Sequence, residues 1–199
     1  MGRIAIDVVL LLSEDMADEV IAANRVLVER FGSEIVLNKT DCLPHVSLAM
    51  GGINEGGIEA IGEVLERLAR EQDPGELRVL GVAASENAVG QKVSCFELEP
   101  GEKLQRLHET VMAEMGRYMN PEVSEEMLAD KQVSESTLQW IRDYKTMSSF
   151  GNFRPHITIG YGQMEEQVEA KTFRAPKLAL CRLGNHCTCR KVLISVEFE

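Results

Sequence analysis

The sequence predicts an α+β fold in which antiparallel sheets carry their helices on the outside. Apolar periodicities alternate between strand and helix along the 199 residues without the regular rhythm of a parallel sheet. Neighbouring strands at 76–85 and 90–99 are joined by a connection so short that they can only pair antiparallel. A Pro-His segment also occurs twice, at 44–48 and 155–159, which predicts two similar lobes related by a pseudo-twofold axis around a central cleft. Residues 1–199 are therefore expected to form a single bilobal domain.

The first half of the chain predicts two strands and two helices before the 76–99 pair. Residues 4–12 form an apolar run typical of a buried strand. Ser13 is a candidate N-cap for a helix whose apolar residues recur as far as Phe31, and Gly32 ends it. A strand is predicted at 44–50, and a helix follows around 58–68. Four glycines between them predict a turn at the rim of the cleft: Gly51, Gly52, Gly56 and Gly57.

The second half begins with a helix around 104–118, in which His108 is expected to meet solvent. Residues 119–153 are the least regular part and are interpreted as an insertion or a lid, with a helix near 135–146. Trp140 and Tyr144 on that helix could form a lid that stacks on a nucleic-acid base. We favour the alternative that they pack in the core. A strand follows at 155–162. Strands at 177–183 and 187–198 close the chain through a tight hairpin at Gly184-Asn185.

The repeated segment carries the predicted chemistry. Pro44-His45-Val46-Ser47-Leu48 matches Pro155-His156-Ile157-Thr158-Ile159 by identity or close similarity at every position. Because residues i and i+2 of a strand share a face, each copy presents one imidazole beside one hydroxyl. One neutral imidazole can remove a proton from a nucleophile while the other, protonated, donates to a leaving oxygen. The hydroxyls of Ser47 and Thr158 can donate to phosphate oxygens, so phosphoryl chemistry needs no metal here.

These two copies resemble the paired His-x-Thr/Ser-x motifs of the two-histidine (2H) phosphoesterase superfamily. The resemblance implies a bilobal fold and catalytic roles for His45 and His156. It also implies activity on 2′,3′-cyclic phosphates, 2′-5′ linkages or related nucleotide ends, including 2′-5′ RNA ligation. Ser47 replaces the commoner threonine and keeps the hydroxyl. The resemblance does not explain residues 119–153.

Charge limits the partners that we expect. The net charge is −11 and the pI is near 4.9, which argues against tight binding of long nucleic acids but still permits a small site for one terminal nucleotide or RNA end. Lys39, Arg154 and Tyr161 are candidate substrate contacts, although an ordinary solvated charge explains each of the two cations as well. Six cations and no acid occur at 171–191, which indicates either a basic wall for an RNA end or a solvated strand face.

Two other functions stay open. The cleft could bind a nucleotide without turnover, or the C-terminal cysteines could form a metal or redox site. With a two-residue hairpin turn, Cys181 and His186 lie on one strand face and Cys187 and Cys189 on the other, so we predict no metal and no other cofactor. Five cysteines, no secretory signal and no membrane-length apolar run predict a cytoplasmic protein with free thiols.

Overall fold

The framework of the protein is a pair of four-stranded antiparallel sheets, which confirms the predicted α+β fold class. The structure is a computed structural model that describes residues 2–86, 90–165 and 168–199. The strands are β1 (Arg3–Leu11), β2 (His45–Asn54), β3 (Glu76–Glu86), β4 (Lys92–Leu98), β5 (His156–Tyr161), β6 (Lys171–Arg174), β7 (Lys177–Leu183) and β8 (Cys189–Glu197). The helices are α1 (Glu14–Phe31), α2 (Ile58–Glu71), α3 (Glu102–Met115) and α4 (Glu135–Met147).

The two sheets have matching strand orders. The first runs β2-β1-β7-β8 and the second runs β5-β4-β3-β6. Each histidine motif therefore forms an edge strand, and its inner neighbour is β1 in the first sheet and β4 in the second. The short strand β6 was not predicted, because its four residues are partly exposed and form no apolar pattern. It forms an edge of the second sheet by pairing with β3, which lies far before it in the sequence.

Helices connect the sheets crosswise. Helix α1 follows β1 of the first sheet but packs against β5 of the second, and α3 follows β4 of the second sheet but packs against β2 of the first. The buried faces of both sheets and of the helices join one large hydrophobic cluster, so burial of apolar surface stabilises both lobes together. Among the described residues, no helix combines the length and apolarity needed to cross a bilayer.

The predicted turn at the first glycine pair is wrong, because Gly51 and Gly52 lie inside β2. Their lack of a side chain lets the backbone of the following segment approach the strand. Gly52 and Asn120 exchange two backbone hydrogen bonds, of 2.9 and 2.8 Å, and a Cβ on Gly52 would lie 3.1 Å from the carbonyl oxygen of Glu122. The glycines thus attach the start of segment 119–153 to the first lobe.

The C-terminal hairpin also differs from the prediction. Leu183 pairs with Cys189, so the connection spans residues 184–188 instead of two residues. His186 and Cys187 adopt left-handed φ angles of 58° and 55°. The loop is attached to the middle of segment 119–153, where the Asn185 side chain accepts hydrogen bonds from the Ser134 N–H and the Thr137 hydroxyl. These partners are distant in sequence, which is why the local pattern could not reveal the loop.

Candidate active site

Both motif strands carry a β-bulge at the same place. In the first sheet, Val9 pairs with Ser47 and Val8 with Ala49, so Leu48 is skipped. In the second sheet, the corresponding register skips Ile159. A bulge leaves the extra residue outside the regular ladder and turns the neighbouring side chains. The two motifs are therefore alike in backbone geometry as well as in sequence.

Each bulge is held by a buried side chain from the helix of the other lobe. The Asn24 side-chain amide of α1 donates a hydrogen bond of 2.8 Å to the carbonyl oxygen of Ile159. The His108 ring of α3 donates from Nδ1 to the carbonyl oxygen of Leu48, at 2.9 Å. Since a bulged carbonyl in the interior needs a donor, these two residues fix the motif strands across the lobe boundary.

His108 is completely buried, so the expectation that it meets solvent is wrong. Its Nε2 accepts a hydrogen bond of 2.8 Å from the Phe150 N–H, and its ring stacks on Phe153 with centroids 3.8 Å apart. Burial lowers the pKa of His108 to about 4, although the hydrogen bond to Leu48 opposes that shift. The ring is therefore neutral at physiological pH and joins the first motif to the residues just before the second.

The two motif histidines have the same tautomer. His45 Nδ1 lies 2.7 Å from the carbonyl oxygen of Leu43, and His156 Nδ1 lies 2.8 Å from that of Arg154. A carbonyl oxygen only accepts, so each Nδ1 carries the proton and, in the neutral ring, each Nε2 carries the free lone pair. Burial lowers the pKa of His45, the Leu43 hydrogen bond opposes this, and the nearby His156 lowers it further.

A single cleft of about 560 Å³ brings the four motif side chains together. His45, Ser47, His156 and Thr158 all line it, and its size suits a nucleotide-sized ligand. The arrangement places two imidazoles and two hydroxyls around one space, as proton transfer at a phosphate ester requires.

The three further candidate contacts are placed differently. Arg154 and Tyr161 line the cleft. Lys39 lies outside the described lining, and its ammonium pairs with the carboxylates of Glu14 at 3.3 Å and Asp18 at 2.7 Å. Because both partners are exposed residues of α1, Lys39 is better explained as a surface cation of the first lobe.

The basic segment 171–191 is divided between the two sheets. Lys171 and Arg174 lie on β6 and pair with Glu19 and Asp73. Lys177 and Arg190 lie on β7 and β8 and pair with Glu197 and Asp130. The predicted alternative of a continuous basic wall is therefore not favoured by the structure.

Two residues that line the cleft, Tyr161 and His186, form a contact between the lobes. The Asn185 amide nitrogen lies 3.1 Å from His186 Nε2, which assigns the acceptor role to Nε2. His186 Nδ1 then donates to the hydroxyl of Tyr161 at 2.8 Å, and the two rings meet edge to face. Tyr161 ends the second motif strand, so this pair connects that strand to the C-terminal hairpin.

Two of the five cysteines do not remain free thiols as predicted. Cys181 and Cys189 form a disulfide, since the longer hairpin loop brings them to neighbouring strand positions on one face. Cys42, Cys95 and Cys187 are free. The predicted separation of the cysteines on two strand faces is therefore wrong for this pair, and the described residues hold no cluster of three metal-ligating side chains.

Helix α4 forms a wall of the cleft. Tyr144 is buried, as the core-packing interpretation predicted, and lies 3.4 Å from the carbonyl oxygen of Ser47. Trp140 remains 46% exposed although it lines the cleft. The exposed indole leaves a flat apolar surface in the same cleft as the motif side chains.

Asp7 is a residue of the site whose role sequence reasoning missed. It lies on β1, is completely buried, and places Oδ2 3.7 Å from His45 Nε2. No hydrogen bond of ordinary geometry from the described residues reaches either carboxyl oxygen. Burial raises the pKa of Asp7 well above its usual range, and interactions with Ser47 and the backbone of Ala49 and Leu48 only partly offset this. The signal was available as the one acid within an apolar run.

Comparisons with known proteins identify a family and a common fold. A family model described as the 2′-5′ RNA ligase superfamily matches residues 38–183, which include both motifs. The fold is similar to TT0787 of Thermus thermophilus, with a TM-score of 0.60, 20% identity and 98% of each chain covered. It is also similar to E. coli LigT in apo form, with a TM-score of 0.53, 13% identity, and 100% of this chain and 99% of LigT covered. No curated protein sequence matches.

Proposed function

This chain belongs to the 2′-5′ RNA ligase superfamily, and from that membership we propose that it is a metal-independent phosphodiesterase acting on nucleotides. The proposed substrate is a 2′,3′-cyclic phosphate or a related phosphodiester at a nucleotide or RNA end. The observation that carries the proposal is the pair of histidines with matching tautomers that line one cleft from equivalent bulged strands.

The proposed reaction uses both histidines. One neutral Nε2 removes a proton from water as the water oxygen bonds to phosphorus. The other imidazole, protonated, gives its proton to the 2′ or 3′ oxygen as the bond from that oxygen to phosphorus breaks. The product is a phosphomonoester, and the two rings exchange protonation states. Ser47 and Thr158 donate hydrogen bonds to the phosphate oxygens as negative charge builds on them.

The wall beside the histidines suits the rest of a nucleotide. Trp140 offers an exposed aromatic face, and stacking of a base on such a face is worth about 1–3 kcal/mol. LigT has been crystallised with phosphate, with 3′-AMP and with ATP, which supports a nucleotide as the ligand of this chain as well. The acidic surface favours a short substrate over a long strand.

The test is a panel of 2′,3′-cyclic nucleotides and 2′-5′-linked dinucleotides incubated with the protein in EDTA, with products identified by chromatography. We expect a monophosphate from the cyclic substrates, a bell-shaped rate against pH, and loss of the product in His45→Ala and His156→Ala. Arg25→Ala, on the exposed face of α1, is the control for any loss of activity caused by expression and purification of a variant. Product that persists undiminished in both histidine variants would refute the proposal.

The alternatives predict different results. Joining of RNA ends through a 2′-5′ bond, without hydrolysis of cyclic phosphates, would assign the same residues to ligation. Binding without any product would indicate a nucleotide-binding module. Binding is measurable directly, because Trp140 is the single tryptophan of the chain and lines the cleft, so a nucleotide stacked on it should change the intrinsic fluorescence.

A further inference from the structure

The two lobes differ at one position beside the catalytic histidines. In the first sheet, Asp7 of β1 pairs with Met50 of β2, five residues after His45. The equivalent pair in the second sheet is Val93 with Tyr161, five residues after His156. Lobe one therefore has a buried carboxyl where lobe two has an apolar side chain, although the register and the bulge are the same on both sides.

Of the described titratable groups around Asp7, His45 is the one that can compensate a carboxylate, although the Ser47 hydroxyl and the backbone of Ala49 and Leu48 also lower the pKa of Asp7. Among the described ion pairs, the one that Asp7 forms is with His45, at 3.7 Å. The other titratable groups close to it are the Tyr144 hydroxyl of α4 and the Cys187 thiol of the 184–188 loop. Burial raises the pKa of Tyr144 and Cys187, and the charge of Asp7 contributes to both increases, so both are neutral and neither compensates a carboxylate.

We propose that Asp7 and His45 hold one proton between them, which makes Asp7 a positioning residue for the chemistry of His45. In one form the carboxyl is protonated and the imidazole neutral. In the other, the proton has moved from Oδ2 to Nε2, which leaves a carboxylate beside an imidazolium. The net charge of the pair is zero in both forms, and a shift of under about 1 Å brings the two atoms into hydrogen-bonding distance. The equivalent position beside His156 is Val93, which offers no such group.

The inference follows from the free energy that it costs to bury one uncompensated charge at Asp7 or at His45. Burial disfavours a carboxylate at Asp7 and an imidazolium at His45 when either is alone. At the observed 3.7 Å, a carboxylate at Asp7 and an imidazolium at His45 compensate each other's charge. The pair therefore retains its shared proton through neutral pH and titrates as a unit. The proposal rests on the proposed function for its catalytic meaning, whereas the sharing of the proton does not depend on turnover.

The test is NMR of the histidine rings and of the Asp7 carboxyl carbon across pH. In the wild-type protein, the Asp7 carboxyl carbon and the His45 ring should change at the same pH values. Asp7→Asn should lower the pKa of His45 by about one unit or more, a tenfold change in proton affinity. Asp7→Val, which copies the residue of the second lobe, should give the same shift.

The NMR titrations and the activity assay test the shared proton and the proposed function separately. Independent titration of the Asp7 and His45 signals in the wild-type protein overturns the proposal, as do identical His45 curves in the wild type and the variants. If the coupling is found and no phosphodiester is cleaved, the proposed function fails and the shared proton stands. If phosphodiesters are cleaved, the acidic or basic limb of the rate profile should move in Asp7→Asn together with the pKa of His45.

Discussion

Replacing Asn24 with alanine should destabilise the protein strongly, because Asn24 satisfies three backbone groups in the interior. Its amide donates to the carbonyl oxygens of Ile35 at 2.9 Å and Ile159 at 2.8 Å, and its oxygen accepts from the Leu37 N–H at 2.9 Å. Each hydrogen bond is worth about 1 kcal/mol net, and buried groups left without a partner cost more. We therefore expect Asn24→Ala to lower the free energy of unfolding by about 3–5 kcal/mol, roughly a third of a typical stability.

The assay is urea denaturation followed by circular dichroism, with Arg25→Ala as the matched control on the exposed face of the same helix. That control should change the unfolding free energy by no more than about 0.5 kcal/mol. Because Ile159 follows Thr158, release of its carbonyl should also move the second motif and lower kcat by about tenfold to a hundredfold. A stability loss under about 1 kcal/mol with unchanged kcat would refute the argument that Asn24 holds the bulge.

The other predictions concern the histidines and the cysteines. His45→Ala and His156→Ala should each lower kcat on a cyclic nucleotide by about 10²–10⁴-fold without loss of fold, as measured by steady-state kinetics and circular dichroism. Because His108 has a pKa of about 4 in the folded protein and near 6.5 when unfolded, its contribution to stability is complete above pH 6.5 and is lost as the pH falls toward 4. The loss amounts to about 3 kcal/mol, and a denaturation series should show it in the wild type and not in His108→Gln. Thiol labelling of the denatured, unreduced protein should modify Cys42, Cys95 and Cys187, and all five cysteines after reduction.

The sequence could reveal whatever is encoded locally or by repetition. Apolar periodicity identified most strands and helices, and the repeated Pro-His segment selected the residues that the fold brings into one cleft. The environment of Asp7 could not be predicted, since its distance from His45 depends on the pairing register of β1 and β2. The same applies to Asn24 and His108, whose partners are carbonyls of a bulge in the other lobe.

The C-terminal loop also could not be predicted from local sequence. Gly184-Asn185 is a good two-residue turn by composition, and the structure rejects it because Ser134, Thr137 and Asp130 hold Asn185 by its side chain and its N–H. Contacts with the segment 119–153 therefore override a local turn preference. The disulfide between Cys181 and Cys189 then follows from the register that the longer loop imposes.

The crosswise attachment of the helices has a consequence for how the chain folds. Each half of the polypeptide supplies the helix that seals the motif strand of the other, so neither half alone can complete its interior. A gene cut between α2 and β3 would yield two fragments that remain unstructured apart and acquire order only upon meeting. Loss of either motif strand should accordingly propagate to the whole molecule, which makes unfolding a single concerted event despite the visible division into lobes.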